Sequence, residues 1–189
     1  MSNFHIKSVT PDDAPALAEI YGYYVENTAV SFEYVPPAAE EFRRRISHTL
    51  EQYPYLAAVS GDRIIGYAYA REFVGRAACA HCVEVSVYID RDFRRSGAGR
   101  ALYQKMERRL GEMGILNVYA SIAYADNEDE YLTHDSLQFH KRMGYEQVAR
   151  FHQCGYKFGG WYDLVWVEKR IGTKQVPTKV CGDIQNYSK

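Results

Sequence analysis

Residues 83–110 constrain the fold more than any other stretch of this chain. Val83, Val85, Val87 and Ile89 alternate with Glu84, Ser86 and Tyr88, which is the period of a strand with one apolar face. After a short connection, Arg94-Arg95-Ser96-Gly97-Ala98-Gly99-Arg100 leads into Leu102, Met106, Leu110 and Met113, one face of a helix that Gly114 can end. A turn between such a strand and helix can converge its backbone N–H groups on an anion, and the helix dipole adds to that field. Gly97 and Gly99 permit positive φ and close approach of a pyrophosphate, and Arg95 and Arg100 can supply charge at the rim. By itself the same turn also reads as a tight connection with solvated arginines. Two other phosphate patterns are missing: a dinucleotide fingerprint needs glycine where Leu102 stands, and a Walker loop needs Gly-Lys-Ser/Thr.

Upstream, Thr10-Pro11-Asp12-Asp13 provides a cap, a first-turn proline and first-turn acid, and Leu17, Ile20, Tyr21 and Tyr24 then follow helical spacing to about Asn27. Beyond Pro36-Pro37, Phe42, Ile46 and Leu50 mark a second helix over 40–51. Residues 56–60 and 64–70 read as a hairpin around Gly61-Asp62-Arg63, with 83–89 as the third strand. Downstream, 117–123 reads as a strand, 136–143 as a short helix, and 145–151 and 161–167 as two final strands. This order predicts a mixed α/β sheet with helices on both faces, in one domain over 1–171. Residues 126–135 read as an acidic loop and 172–189 as a flexible tail.

Charge narrows the partners. With 23 basic and 24 acidic residues among 189, the net charge of -1 exerts no general pull on nucleic acid or an anionic membrane. No apolar run is long enough for a signal core or a bilayer span, so a cytoplasmic protein with reduced cysteines is expected. Cys79-Ala-His81-Cys82 contains zinc-binding residue types but lacks a second regularly spaced pair, so no metal is expected. Tyr156-Lys157-Phe158 with Trp161 and Trp166 reads as a pocket wall or dimer surface rather than a nucleic-acid site.

Val87-Tyr88-Ile89 followed by Arg94-x-x-Gly97-x-Gly99-Arg100-Ala101-Leu102 resembles the coenzyme A-binding motif of the GNAT superfamily. Ile20-Tyr21, Ser31-Phe32-Glu33, Val83-Glu84-x-Ser86-Val87-Tyr88 and Gly155-Tyr156-Lys157-Phe158-Gly159-Gly160-Trp161 resemble its phosphinothricin acetyltransferase branch, so that roughly 4–167 is covered. The resemblance implies the GNAT fold: a mostly antiparallel, twisted sheet whose central strand pair splays, with a bulge in the strand that carries Glu84. It implies an acetyl-coenzyme A-dependent N-acetyltransferase, with the thioester against the main chain of Val87, Tyr88 and Ile89. The pyrophosphate would rest on the amides of Arg95, Ser96, Gly97, Ala98, Gly99 and Arg100. A homodimer is common among the resembling enzymes.

Acyl transfer to an amine requires the neutral amine and a stabilised or protonated leaving thiolate. Glu84 is an acid in an otherwise apolar strand; it reads as an outward-facing strand residue or as a base. The resemblance implies the base, acting directly or through water. His140 stands where many GNAT enzymes have a tyrosine near the coenzyme A sulfur, which implies a donor to the thiolate; a helix-surface histidine is the alternative. Asn127 is the candidate for an asparagine that contacts coenzyme A in related enzymes, although the inserted loop 127–133 disturbs the register. Phe32, Glu33 and Arg76 match positions lining the branch's amino-acid pocket, and Arg76 is either a carboxylate clamp or a surface arginine. Cys79 replaces a tyrosine of that branch, which leaves a small amino acid, an analogue of the phosphinothricin or methionine sulfone/sulfoximine type, or another primary amine as acceptor. Protein or peptide N-acetylation, and a non-catalytic acyl-coenzyme A sensor, are the rival readings.

Overall fold

The computed structural model describes residues 4–173. Seven strands form one sheet: β1 (His5–Ser8), β2 (Tyr55–Ser60), β3 (Arg63–Glu72), β4 (Cys82–Ile89), β5 (Asn117–Tyr124), β6 (Glu146–Lys157) and β7 (Gly160–Arg170). They lie in the order β1-β2-β3-β4-β5-β7-β6. Helices α1 (Ala14–Asn27) and α2 (Ala39–Leu50) precede β2, α3 (Ala98–Glu112) joins β4 to β5, and α4 (Asp135–Arg142) joins β5 to β6. All neighbours are antiparallel except β4 and β5, the two strands joined through a helix.

The strand period separates two cores. Leu56, Ala68, Val83, Val85, Val118 and Val165 pack with Leu102, Met106 and Leu110 of α3 on one face. Tyr55, Ala57 and Tyr67 pack with Leu17, Ile20 and Ile46 of α1 and α2 on the other. Each fully buried α3 side chain contributes roughly 2 kcal/mol by leaving water. The expected bulge in β4 is absent: its register with β3 runs unbroken from Gly66↔Ile89 to Glu72↔Val83, so the sequence alternation survives. β4 pairs with β5 only from Cys82↔Asn117 to Glu84↔Tyr119, beyond which the strands splay.

Other boundaries differ from the sequence reading. β1, unread in the sequence, is a four-residue edge strand with a mixed burial pattern. β6 extends to Lys157 and meets β7 through Phe158-Gly159, both at positive φ, the geometry of a two-residue hairpin turn. The acidic segment is tied into an ordered loop: Asp129 Oδ1 accepts from Tyr131 N at 2.8 Å and Leu132 N at 2.7 Å, and Glu128 Oε1 from His134 N at 2.6 Å. Apart from Gly172 and Thr173, the tail expected over 172–189 lies outside the described residues.

Candidate active site

The turn after β4 has the geometry required of an anion cradle. Gly97 caps α3 at φ 88°, left-handed backbone that glycine adopts without strain, and Arg95 precedes it at φ 62°. Of the first turn of α3, Ala98 N donates to Ser96 Oγ at 3.3 Å, and the Gly99 and Arg100 N–H groups come at the helix end, where no preceding turn supplies carbonyls. Ala98 is buried and anchors the turn, while Arg95 and Arg100 are exposed at its rim.

Between β4 and β5 the splay leaves a gap of about 50 Å³, bordered by Val85, Val87, Ala120, Ile122, Tyr103 and His140. It adjoins a cavity of about 850 Å³ on the α1/α2 face; Ser86, Tyr88, Ser121 and Ala123 line both. Sequence separates these strands, and the splay turns the separation into a passage through the sheet. A thioester resting on α3's side can thus meet an acceptor entering from the opposite face.

Glu84 lines the larger cavity at the last β4 position paired with β5 and is 3% exposed. Its Oε1 accepts from Ser121 Oγ at 2.6 Å, and its Oε2 accepts from Arg71 Nε at 3.0 Å and Nη2 at 2.8 Å. Neither partner was marked in the sequence: Arg71 faces Glu84 through the β3–β4 register, and Ser121 reaches it across the splay. Tyr21, Tyr55, Tyr67, Tyr69 and Tyr88 wall the cavity. Burial pushes the Tyr21 hydroxyl up to about 12, so it remains neutral. Among the described residues, Tyr67 Oη is the buried side-chain polar atom without a protein partner, and it belongs to a residue of this wall.

Phe32 and Glu33 also line the cavity. Gly155 admits the Phe32 ring, which a Cβ would overlap, and Glu33 is paired with Arg45 at 2.9 Å. The segment carrying them is held by Lys157, whose buried Nζ donates to the carbonyls of Val25 at 2.7 Å, Thr28 at 2.9 Å and Ser31 at 2.7 Å. This ammonium supplies donors to the end of α1, where carbonyls lack helical partners, and burial lowers its pKa. Arg76 is elsewhere: it caps a short 3₁₀ turn on the exposed loop after β3, outside the cavity lining. Asn127 is exposed on the ordered loop before α4.

His140 is 3% exposed on α4. Its Nδ1 lies 2.7 Å from the Ser136 carbonyl, which can only accept, so Nδ1 carries the proton; Nε2 then accepts from Tyr103 Oη at 2.7 Å. Burial lowers its pKa to about 4, against a smaller opposing effect of the Ser136 carbonyl. At neutral pH, therefore, Nε2 has no proton to give, and the hydroxyl of Tyr103 is the donor in this pair. Tyr103 carried no local signal in the sequence beyond its place on the α3 face.

A sheet splayed between β4 and β5, with a glycine turn at a helix start and a buried carboxylate beside the gap, has the arrangement an acyl-coenzyme A-dependent transferase needs. The sequence matches the Acetyltransferase (GNAT) domain family over residues 6–166, and the chain belongs to that family. It is an acetyl-coenzyme A-dependent N-acetyltransferase. It is 33% identical to a phosphinothricin N-acetyltransferase of Alcaligenes faecalis over 88% of this chain and 82% of that protein. An L-methionine sulfoximine/L-methionine sulfone acetyltransferase of Pseudomonas aeruginosa is 27% identical over 87% of this chain and 94% of its own. The crystal structure of a phosphinothricin acetyltransferase from Sinorhizobium meliloti with acetyl-coenzyme A superimposes with a TM-score of 0.85 at 29% identity, covering 94% of each chain. No helix among the described residues is long and apolar enough to cross a membrane, and none of their His, Cys, Asp and Glu side chains form a metal-holding group.

Proposed function

We propose that the chain acetylates the primary amine of a small amino acid or amino-acid analogue, of the type that the phosphinothricin and methionine sulfone enzymes are named for, with Glu84 as general base. The observation that carries this reading is the buried Glu84 carboxylate at the junction of the acceptor cavity and the splay. Bound acetyl-coenzyme A supplies an activated acetyl group on a thiolate leaving group. The amides of Arg95, Ser96, Gly97, Ala98, Gly99 and Arg100 hold its pyrophosphate, and the unpaired edge of β4 at Val87, Tyr88 and Ile89 aligns the thioester. Asn127 stays a candidate contact at the rim.

Glu84 takes a proton from the acceptor ammonium, directly or through water, and exposes the lone pair that attacks. The Tyr103 hydroxyl proton, resting on His140 Nε2 in the free protein, turns from that nitrogen to the departing sulfur as negative charge builds there. Phe32 and Glu33, fixed through Gly155 and Lys157, wall the acceptor's side chain, and a polar group on that side chain satisfies the Tyr67 hydroxyl. A cytoplasmic homodimer fits the same reading, because acetyl-coenzyme A is its donor and the β6–β7 hairpin exposes Phe151, Tyr156 and Trp161, the last at 60%.

The test is thiol release from acetyl-coenzyme A with amino acids, methionine sulfone and sulfoximine, phosphinothricin, polyamines and short peptides as acceptors. Turnover concentrated on free amino acids or their analogues supports the proposal. Turnover confined to peptides would replace it with peptide N-acetylation, and tight cofactor binding without transfer to any amine would make the chain a sensor.

A further inference from the structure

Both oxygens of the Glu84 carboxylate are occupied as found. Ser121 Oγ donates to Oε1 and Arg71 Nε to Oε2, and the Arg71 guanidinium closes an ion pair on Oε2 through Nη2 at 2.8 Å. The two partners differ in freedom, however. Glu84 is buried, whereas the Arg71 side chain is 55% exposed and lines the acceptor cavity. Nε and Nη2 of Arg71 meet Glu84 Oε2, and the guanidinium carries two further donors on Nη1. Arg71 is thus the solvent-exposed member of a pair whose other member is buried.

An α-amino acid carries an ammonium and a carboxylate on one carbon. Beside an adjacent carboxylate and guanidinium it is complementary with reversed polarity: ammonium to Glu84, carboxylate to Arg71. A planar carboxylate also offers the guanidinium a paired, two-bond contact. We propose that Arg71 reads the acceptor's carboxylate and, in turning to it, releases Glu84, so that the acceptor arms the base that will deprotonate it. This rests on the reading of Glu84 as base and gives Arg71 the clamp role that the sequence suggested for Arg76.

The step balances. Glu84, its Oε2 vacated by the guanidinium, takes one proton from the ammonium. The freed lone pair forms the C–N bond, the C–S bond breaks with its electron pair on sulfur, and the second nitrogen proton goes to the thiolate. Glu84 returns its proton to solvent as Arg71 swings back.

The test uses methionine sulfone, its carboxamide and its decarboxylated amine with the wild type, Arg71→Leu, Arg71→Lys and Arg76→Leu, at saturating acetyl-coenzyme A. The wild type is expected to prefer the amino acid over the amine by about 100-fold or more in kcat/KM, because a site built for a carboxylate penalises its absence. Arg71→Leu should collapse that ratio toward one, with the amine's rate raised, and Arg71→Lys should restore part of it. Arg76→Leu should leave the ratio in place. Equal loss for amino acid and amine in Arg71→Leu, with acetyl-coenzyme A affinity intact, would reduce Arg71 to a structural partner of Glu84 and overturn the proposal, as would collapse of the ratio in Arg76→Leu. Failure of the base reading is separable: Glu84→Gln at full turnover removes it, whereas a dead Glu84→Gln with the ratio retained in Arg71→Leu removes only the clamp. No transfer to any of the three, with other amines acetylated, would sink both.

Discussion

His140 shows how a single residue's surroundings decide its chemistry. Its position on a short helix was readable, but its burial and its two hydrogen bonds were not, because Ser136 and Tyr103 become its partners only in the folded chain. The same holds for Glu84: an acid amid alternating valines singled it out, while Arg71 and Ser121 were invisible until strand register was known. Burial holds His140 neutral, with a native pKa of about 4 against 6.5 for the free ring. Because the folded value lies below the unfolded one, stability is full above about 6.5 and falls as pH drops toward about 4, where the native ring also charges. The loss over that window is roughly 3 kcal/mol. Urea unfolding at both ends of the window should show the wild type losing about that much more than His140→Gln, and parallel losses would contradict a buried neutral imidazole.

At the scale of elements, β4, the glycine turn and α3 were legible because each has an unmistakable period or punctuation. β1 was not, since four residues at a sheet edge carry no alternation, and β6 was cut short because its register shifts between Gln147 and Ala149 and again between Phe151 and Gly155. The β4 bulge anticipated from resemblance is also missing; divergence after Glu84↔Tyr119 opens the strands without it. The turn can be tested through its conformation. Gly97→Ala must hold an alanine at φ 88°, which costs about 1–2 kcal/mol. Denaturant titration should register that loss, and calorimetric titration should show acetyl-coenzyme A binding weakened by about tenfold, the equivalent of 1.4 kcal/mol. Unchanged affinity in a destabilised variant would mean that the turn is only a connector.

Across the whole molecule, a net charge of -1 directs attention from the surface field to individual sites, and the structure gathers Glu84, Arg71 and the tyrosine wall around one cavity. What the sequence could not supply was the meeting of two cores at a gap in the sheet, since that depends on where β4 and β5 stop pairing. In the proposed reading, donor and acceptor approach from opposite faces of the sheet, with the buried Glu84 carboxylate between them. The most direct test of that arrangement is Glu84→Gln, measured for turnover across pH and for acetyl-coenzyme A affinity in the same preparation. A general base contributes about 10²–10⁴-fold, so turnover should fall by that order and lose the wild type's rise with pH, while cofactor affinity stays within about twofold. Turnover comparable to the wild type at every pH would contradict the account.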